Sequence, residues 1–242
     1  MLLRLNLKVQ EEQLIFLMTK NSKAKGSAFE RQISAQLSLW WSDGKRDDIF
    51  WRSSSSGARA TSRAQKNKTT ANSAGDLCYL DRDGSSFISY FAVEIKRGYT
   101  AFDVQRVLDR EDGTKPSILE QWIEQAAKSQ EDAGAYSWLI IAKKNRAKTL
   151  AILPEFEYKS LISHRNIGDF PHILVSGILE HDLEDPPNIN RIICMSLTDF
   201  LATVKPDIVK RSIKAFTDTP FIYKYKSRDN KVRKSKKVAK AA

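Results

Sequence analysis

The run Phe91-Ala92-Val93-Glu94-Ile95-Lys96 constrains this chain more than any other stretch. It is apolar enough to be buried, yet it ends in an acid and a lysine. Strand side chains alternate between faces, so Phe91, Val93 and Ile95 point toward a core while Ala92, Glu94 and Lys96 point the other way. That leaves a carboxylate and an ammonium side by side at the edge of a sheet, where folding alone has little use for them. Gly75-Asp76 supplies a second carboxylate. Asp81-Arg82-Asp83-Gly84-Ser85 is a turn signal between residues 77–80 and 87–91, so the stretch is expected to be a β-hairpin. With its turn centred near Gly84, Asp76 lies opposite Ala92 and diagonal to Glu94, roughly 7–8 Å apart at the backbone. Two carboxylates at that reach can share a divalent cation, and oxygen-only ligands suit Mg²⁺, which takes one or two carboxylates and keeps several waters. A second Glu-x-Lys, Glu157-Tyr158-Lys159, follows Pro154 with no Gly-Asp before it and reads as surface decoration.

The charge is unevenly placed. The formal net charge is +11 over 242 residues, and nine basic residues against Asp229 put +8 of it between 223 and 242. The body is therefore near neutral, and 223–242 reads as a basic disordered tail. Cys78 and Cys194 are too few and too far apart for a disulfide framework or a zinc site, and they suit a reducing, cytoplasmic compartment. His164, His172 and His181 are scattered, which argues against histidine-metal nucleases and zinc hydrolases. No phosphate-binding P-loop pattern occurs. The first 17 residues are broken by charged and polar positions and read as neither a signal peptide nor a membrane span. Met18 then looks like a fresh start, so 1–22 is expected to be a leader, disordered or loosely docked.

Along the body, Phe29, Ile33, Leu37 and Trp40 sit at helical spacing and predict a helix over 27–41. Glu30 lies on its flank; Ser27-x-x-Glu30 is also a capping box, so the carboxylate serves the helix end, the site, or both. Residues 52–75 contain Arg52, Arg59, Arg63, Lys66 and Lys68 and no acid. They form either a solvated loop or a grip on nucleic-acid phosphates. A second helix runs from Ser117 to about Ala133, with Ser117 and Glu120 as a capping box and Gly134 as the stop. Ile118, Trp122, Ala126 and Ser129 or Gln130 mark its inner side, with Gln121 and Gln125 beside it. Trp138-Leu139-Ile140-Ile141-Ala142 is a buried strand, 143–146 a basic turn containing Lys144, and Thr149-Leu150-Ala151-Ile152-Leu153 another strand. The whole is an α/β fold, a mixed sheet flanked by helices. Its expected parts are a core over 23–153 and a subdomain appended over 154–222, where 173–175 and 192–195 read as strands and 197–204 as a short helix. Paired Trp40-Trp41 and Trp51 are candidate interface material, though such tryptophans suit a core.

These pieces together resemble the PD-(D/E)XK nuclease superfamily, and within it the archaeal-type Holliday junction resolvases and related phage enzymes. The resemblance rests on Lys25-Gly26-Ser27-Ala28-Phe29-Glu30-Arg31, Arg52-Ser53 with the serine run to Gly57, Gly75-Asp76, and Val93-Glu94-Ile95-Lys96. It implies a restriction-endonuclease-like core with a C-terminal extension, and Mg²⁺ (Mn²⁺ substituting) on Glu30, Asp76, Glu94 and the Ile95 carbonyl. Lys96 then assists the nucleophile, and a polar residue of the following helix, Gln121 or Gln125, lines the site. The implied activity is metal-dependent endonucleolytic hydrolysis of DNA, branched DNA included, by an enzyme that resolves junctions as a homodimer. Arg31, Arg52, Ser53, Arg59, Arg63, Lys66, Lys68 and Lys144 are the expected DNA contacts. Two departures stand out. The segment between Arg52 and Asp76 is longer than in compact resolvases, and the Gln-x-x-x-Tyr pattern of the exonuclease-like branch is missing. A restriction-type enzyme reading its sequence with 154–222, and a non-cleaving DNA-binding protein on the same fold, are the competing readings.

Overall fold

Apolar residues at helical spacing make the first element, α1, over residues 24–41 of a computed structural model that describes residues 24–53, 73–98, 103–109, 114–162, 170–180, 191–215 and 224–225. Phe29, Ile33, Leu37 and Trp41 are its buried face. Trp40 is half-buried, its indole N–H donating to the Leu201 carbonyl at 2.9 Å. Residue 24 is already helical, so Ser27 lies inside α1 and does not cap it. The expected Ser27–Glu30 capping box is thereby removed, and Glu30 needs another explanation. Trp40 and Trp41 belong to an aromatic cluster with Phe50 and Phe87 at centroid separations of 5.2–6.0 Å, a core rather than an interface.

Strands β1 (Phe50–Arg52), β2 (Ser73–Ala74) and β3 (Leu77–Tyr79) form a small antiparallel sheet in the order β1-β3-β2. The hairpin expected after β3 does not form. Arg82–Gly84 is a 3₁₀ turn capped by the Asp81 side chain, and α2 (Ser85–Tyr90) follows it. Two physical causes decide this. Phe87, Ile88, Tyr90 and Phe91 fall at i, i+1, i+3 and i+4, a helical period, and all four are buried. Gly84 is pressed so closely on the core that a Cβ there would lie 2.7 Å from the Phe50 ring, so the turn folds back onto β1 rather than out into solvent.

β4 (Phe91–Arg97) then runs parallel to β5 (Ser137–Lys143), joined by the crossover helix α3 (Ile118–Ala133), as a parallel pair requires. α3 carries the expected capping box: the Ser117 N–H donates to Glu120 Oε2 at 2.7 Å and the Glu120 N–H to Ser117 Oγ at 3.4 Å. Such a cap is worth about 1 kcal/mol. Gly134 ends the helix at φ 64°. β5 turns through 144–147 into antiparallel β6 (Thr149–Pro154). Leu139, Ile140, Ile141 and Ala142 are fully buried, and truncating one of these isoleucines to alanine costs about 2–5 kcal/mol.

The boundary expected at 153/154 does not follow the sheet. β7 (His172–Val175) and β9 (Ile192–Ser196) complete one five-stranded sheet in the order β4-β5-β6-β9-β7, so the C-terminal part extends the core instead of standing apart. α5 (Leu197–Thr203) and α6 (Pro206–Ala215) add Phe200 and Val209 to the same apolar interior. β8 (Leu179–Glu180) pairs with β10 (Lys224–Tyr225), which gives the start of the expected disordered tail a strand partner. The rest of that tail and the leader lie outside the described residues. Glu157-Tyr158-Lys159, expected on the surface, lies in α4 (Glu155–Leu161) with Glu157 and Tyr158 buried. The Tyr90 hydroxyl donates to Glu157 Oε2 at 2.9 Å, and Glu155 pairs with Arg191 and Lys159. Tyr90 and Arg191 tie α4 to the segments entering β4 and β9, while Lys159 pairs within the helix.

Candidate active site

The site is built on the open edge of β4, and Gly75 makes it possible. Its φ is 72°, and a Cβ there would lie 2.3 Å from the Val93 carbonyl oxygen. Only glycine permits both that conformation and that approach. Gly75 is bridged to Val93 in parallel, the Asp76 N–H donates to the Val93 carbonyl at 2.7 Å, and the Ile95 N–H donates to Asp76 Oδ2 at 2.9 Å. Asp76 therefore sits level with the Glu94 stretch along the edge. The acids meet as the sequence suggests, through a parallel bridge rather than a hairpin diagonal.

Glu94 and Lys96 share the face of β4 covered by α3. Glu94 is 2% and Lys96 9% exposed, so neither is the solvated strand end that the sequence also allows. Lys96 Nζ donates to Glu94 Oε2 at 2.6 Å and to Gln125 Oε1 at 2.9 Å. Gln125 Nε2 donates to the same Glu94 oxygen at 2.8 Å, and Ser129 Oγ donates to Glu94 Oε1 at 2.7 Å. A buried ion pair is tolerable only when its remaining valences are satisfied, and here α3 supplies those partners. Of the two expected glutamines, Gln125 lines the site. Gln121 is exposed and donates instead to the Pro116 carbonyl at 2.8 Å, steadying the start of α3. Ser129 is the residue that sequence reasoning assigned only to the helix's inner side. Its signal is the i, i+4 spacing from Gln125, which puts both on one helix face.

Burial and the charge of Glu94 push the Asp76 carboxyl up to about 7, with Lys96 and the Ile95 N–H opposing and Glu30 adding to the rise. Two acids thus crowd into one partly dry edge, a place that favours a cation. Glu30 also has a cation beside it. Its Oε2 is 3.6 Å from Arg52 Nη1, at the end of β1. Among the described residues no group of three or more acids, histidines or cysteines is close enough to hold a metal.

The expected DNA contacts divide. Arg52 is half-exposed on the rim, while Ser53 is buried with its N–H on the Asp76 carbonyl at 2.8 Å, making it part of the frame that holds the aspartate. Arg31 is exposed on α1 beside Glu30. Lys144 is exposed in the turn after Lys143, which pairs with Arg97 just past Lys96, so it reaches the same end of the sheet. Arg59, Arg63, Lys66 and Lys68 lie outside the described residues. No helix among the described residues is long and apolar enough to cross a membrane.

Among known families, the one described as "phage putative PDDEXK endonuclease" matches residues 21–211 of the chain. Comparison with curated proteins and with solved structures gives no match.

Proposed function

The chain belongs to this phage PDDEXK endonuclease family, and from that premise we propose that it hydrolyses DNA phosphodiester bonds with Mg²⁺ held by Asp76 and Glu94. The observation that carries the reading is the meeting of Asp76, Glu94 and Lys96 on one strand edge, two carboxylates and an ammonium with Gln125 spanning the second pair. The donor set fits a small hard cation: all-oxygen, two carboxylates, and Asp76 Oδ1 taking no hydrogen bond among the described residues. When bound, such a cation polarises the scissile phosphate and lowers the pKa of water.

The protein's own groups do the rest. The Ile95 N–H fixes the rotation of the Asp76 carboxylate. Lys96 has three N–H donors, and Glu94 and Gln125 take two of them, which leaves one for the attacking water or a non-bridging phosphate oxygen. Held in that position, the ammonium stabilises the charge that develops on the phosphoryl oxygens. Gln125 and Ser129 keep Glu94 from swinging toward Lys96 alone. Manganese serves in place of magnesium because it accepts the same oxygen ligands.

The test is direct. Purified protein is incubated with labelled four-way junction, flap, duplex and single-stranded DNA, with Mg²⁺, with Mn²⁺ and with chelator. Metal-dependent cutting that is lost in Glu94→Gln and Lys96→Met supports the reading. Firm binding with no cutting in any metal overturns it in favour of a non-cleaving DNA-binding protein.

A further inference from the structure

Trp51 is the one tryptophan that the fold leaves open. Trp41, Trp122 and Trp138 are buried and Trp40 is half-buried, while Trp51 is 45% exposed. It sits on β1 between fully buried Phe50 and the rim residue Arg52, pointing away from the core that Phe50 fills. Directly across the ladder is Cys78, too small to cover an indole. Diagonally on the same face lies Leu80, 63% exposed. The Trp51 indole takes no ring contact or hydrogen bond among the described residues. Indole surface of this kind is costly to leave in water, at roughly 25 cal/mol per Å².

Its place matters more than its exposure. Two residues along the same strand, Ser53 holds the Asp76 carbonyl. That puts Trp51 roughly 7 Å of backbone from the residue that holds Asp76, about two steps of a stacked DNA strand. The sequence that follows Trp51 carries Arg52, Arg59, Arg63, Lys66 and Lys68 with no acid before Asp76. An exposed aromatic face followed in sequence by positive charge has the composition that suits an unpaired base on its phosphate backbone. A second copy of the chain is the poorer occupant, because each copy carries a formal net charge of +11 and two copies repel.

We propose that Trp51, flanked by Leu80, is a stacking platform for an unpaired base about two nucleotides from the scissile phosphate. The substrate class is then DNA with unpaired nucleotides at a fork, branch, flap or end, in preference to continuous duplex. This rests on the nuclease reading for the position of the scissile phosphate, but its test does not require cleavage. Full-length protein in chelator is titrated with two labelled probes, a blunt 20-base-pair duplex and the same duplex carrying a five-thymine tail. Wild type should bind the tailed probe more tightly. Trp51→Ala should lose roughly tenfold or more on the tailed probe and less than about twofold on the blunt one, with Trp51→Phe keeping most of the affinity. Wild-type indole emission should be quenched by a free thymine pentamer, and that quenching should vanish in Trp51→Phe. Equal losses on both probes, no loss on either, or no tail preference in wild type would each overturn the proposal. So would a fall from dimer to monomer in Trp51→Ala by sedimentation, which would make the patch a self-association surface. Absence of cutting with intact stacking would instead count against the nuclease reading alone.

Discussion

Replacing Asp76 with asparagine should make the chelated protein more stable while destroying its activity. The native Asp76 carboxyl is pushed up to about 7 from an ordinary 3.8, first by burial and then by the Glu94 charge. The fold therefore favours the protonated acid. Between pH 4 and pH 7 the folded state binds a proton that the unfolded chain has released, so stability falls as pH rises through that window. Above pH 7 the full cost stands, about 4 kcal/mol if the whole rise is expressed and closer to 2 once water reaches the edge. Asparagine keeps an oxygen for the Ile95 N–H and carries no charge. At pH 8 in chelator, Asp76→Asn should melt on the order of 10 °C above wild type, and at pH 4 the two should coincide. Adding Mg²⁺ at pH 8 should raise the wild-type melting temperature and leave the asparagine protein unmoved, closing the gap. The same linkage makes the Mg²⁺ requirement steepen below pH 7, since protons and cation compete for one carboxylate. Differential scanning fluorimetry across pH, with and without metal, reads all of this. Melting curves of the two proteins that run parallel from pH 4 to pH 8 would refute the reasoning.

Lys96→Met should abolish cleavage and also cost about 3–5 kcal/mol, because it leaves Glu94 buried without its counter-ion; urea unfolding checks the second part. Glu30→Gln should lower cleavage while changing stability by less than about 1 kcal/mol, since Glu30 lies within α1 and its pair with Arg52 is long and partly exposed; equal rates at saturating Mg²⁺ would leave Glu30 without a catalytic part. Gly75→Ala should be inactive and markedly unstable, as its Cβ meets the Val93 carbonyl; a folded, active protein would contradict the edge geometry. Deleting residues 227–242, which spares β10, removes seven basic residues and Asp229 and should flatten the salt dependence of DNA affinity without ending catalysis.

Much of the site was legible because its chemistry conflicts with its surroundings. A glutamate and a lysine on the far face of an apolar strand have no folding role, and a glycine before an aspartate announces a backbone that must come close. What the sequence hid was topology. Residues 85–91 combine strand-forming residue types with a helical period, and composition suggested the strand where period and the buried Gly84 give a helix. The Ser27 capping signal was cancelled by helix that starts upstream, something no local pattern announces. Strands β7 and β9 looked detached because weak signals and long connections separate them from partners that only the sheet reveals. Gln125 and Gln121 are one helical turn apart in sequence, and only the twist of α3 against β4 decides which one meets Lys96.

The bridge at Gly75 has a meaning apart from chemistry. β4 ends its sheet, and an end strand offers unpaired N–H and carbonyl groups to any extended chain that drifts by. Here that vacancy is taken by the protein's own backbone at Val93 and by a carboxylate at Ile95. Asp76 thereby guards the edge against stray strands. Solubility and activity are tied to one short turn, and variants that pull residues 75–76 away from β4 should aggregate as they lose function.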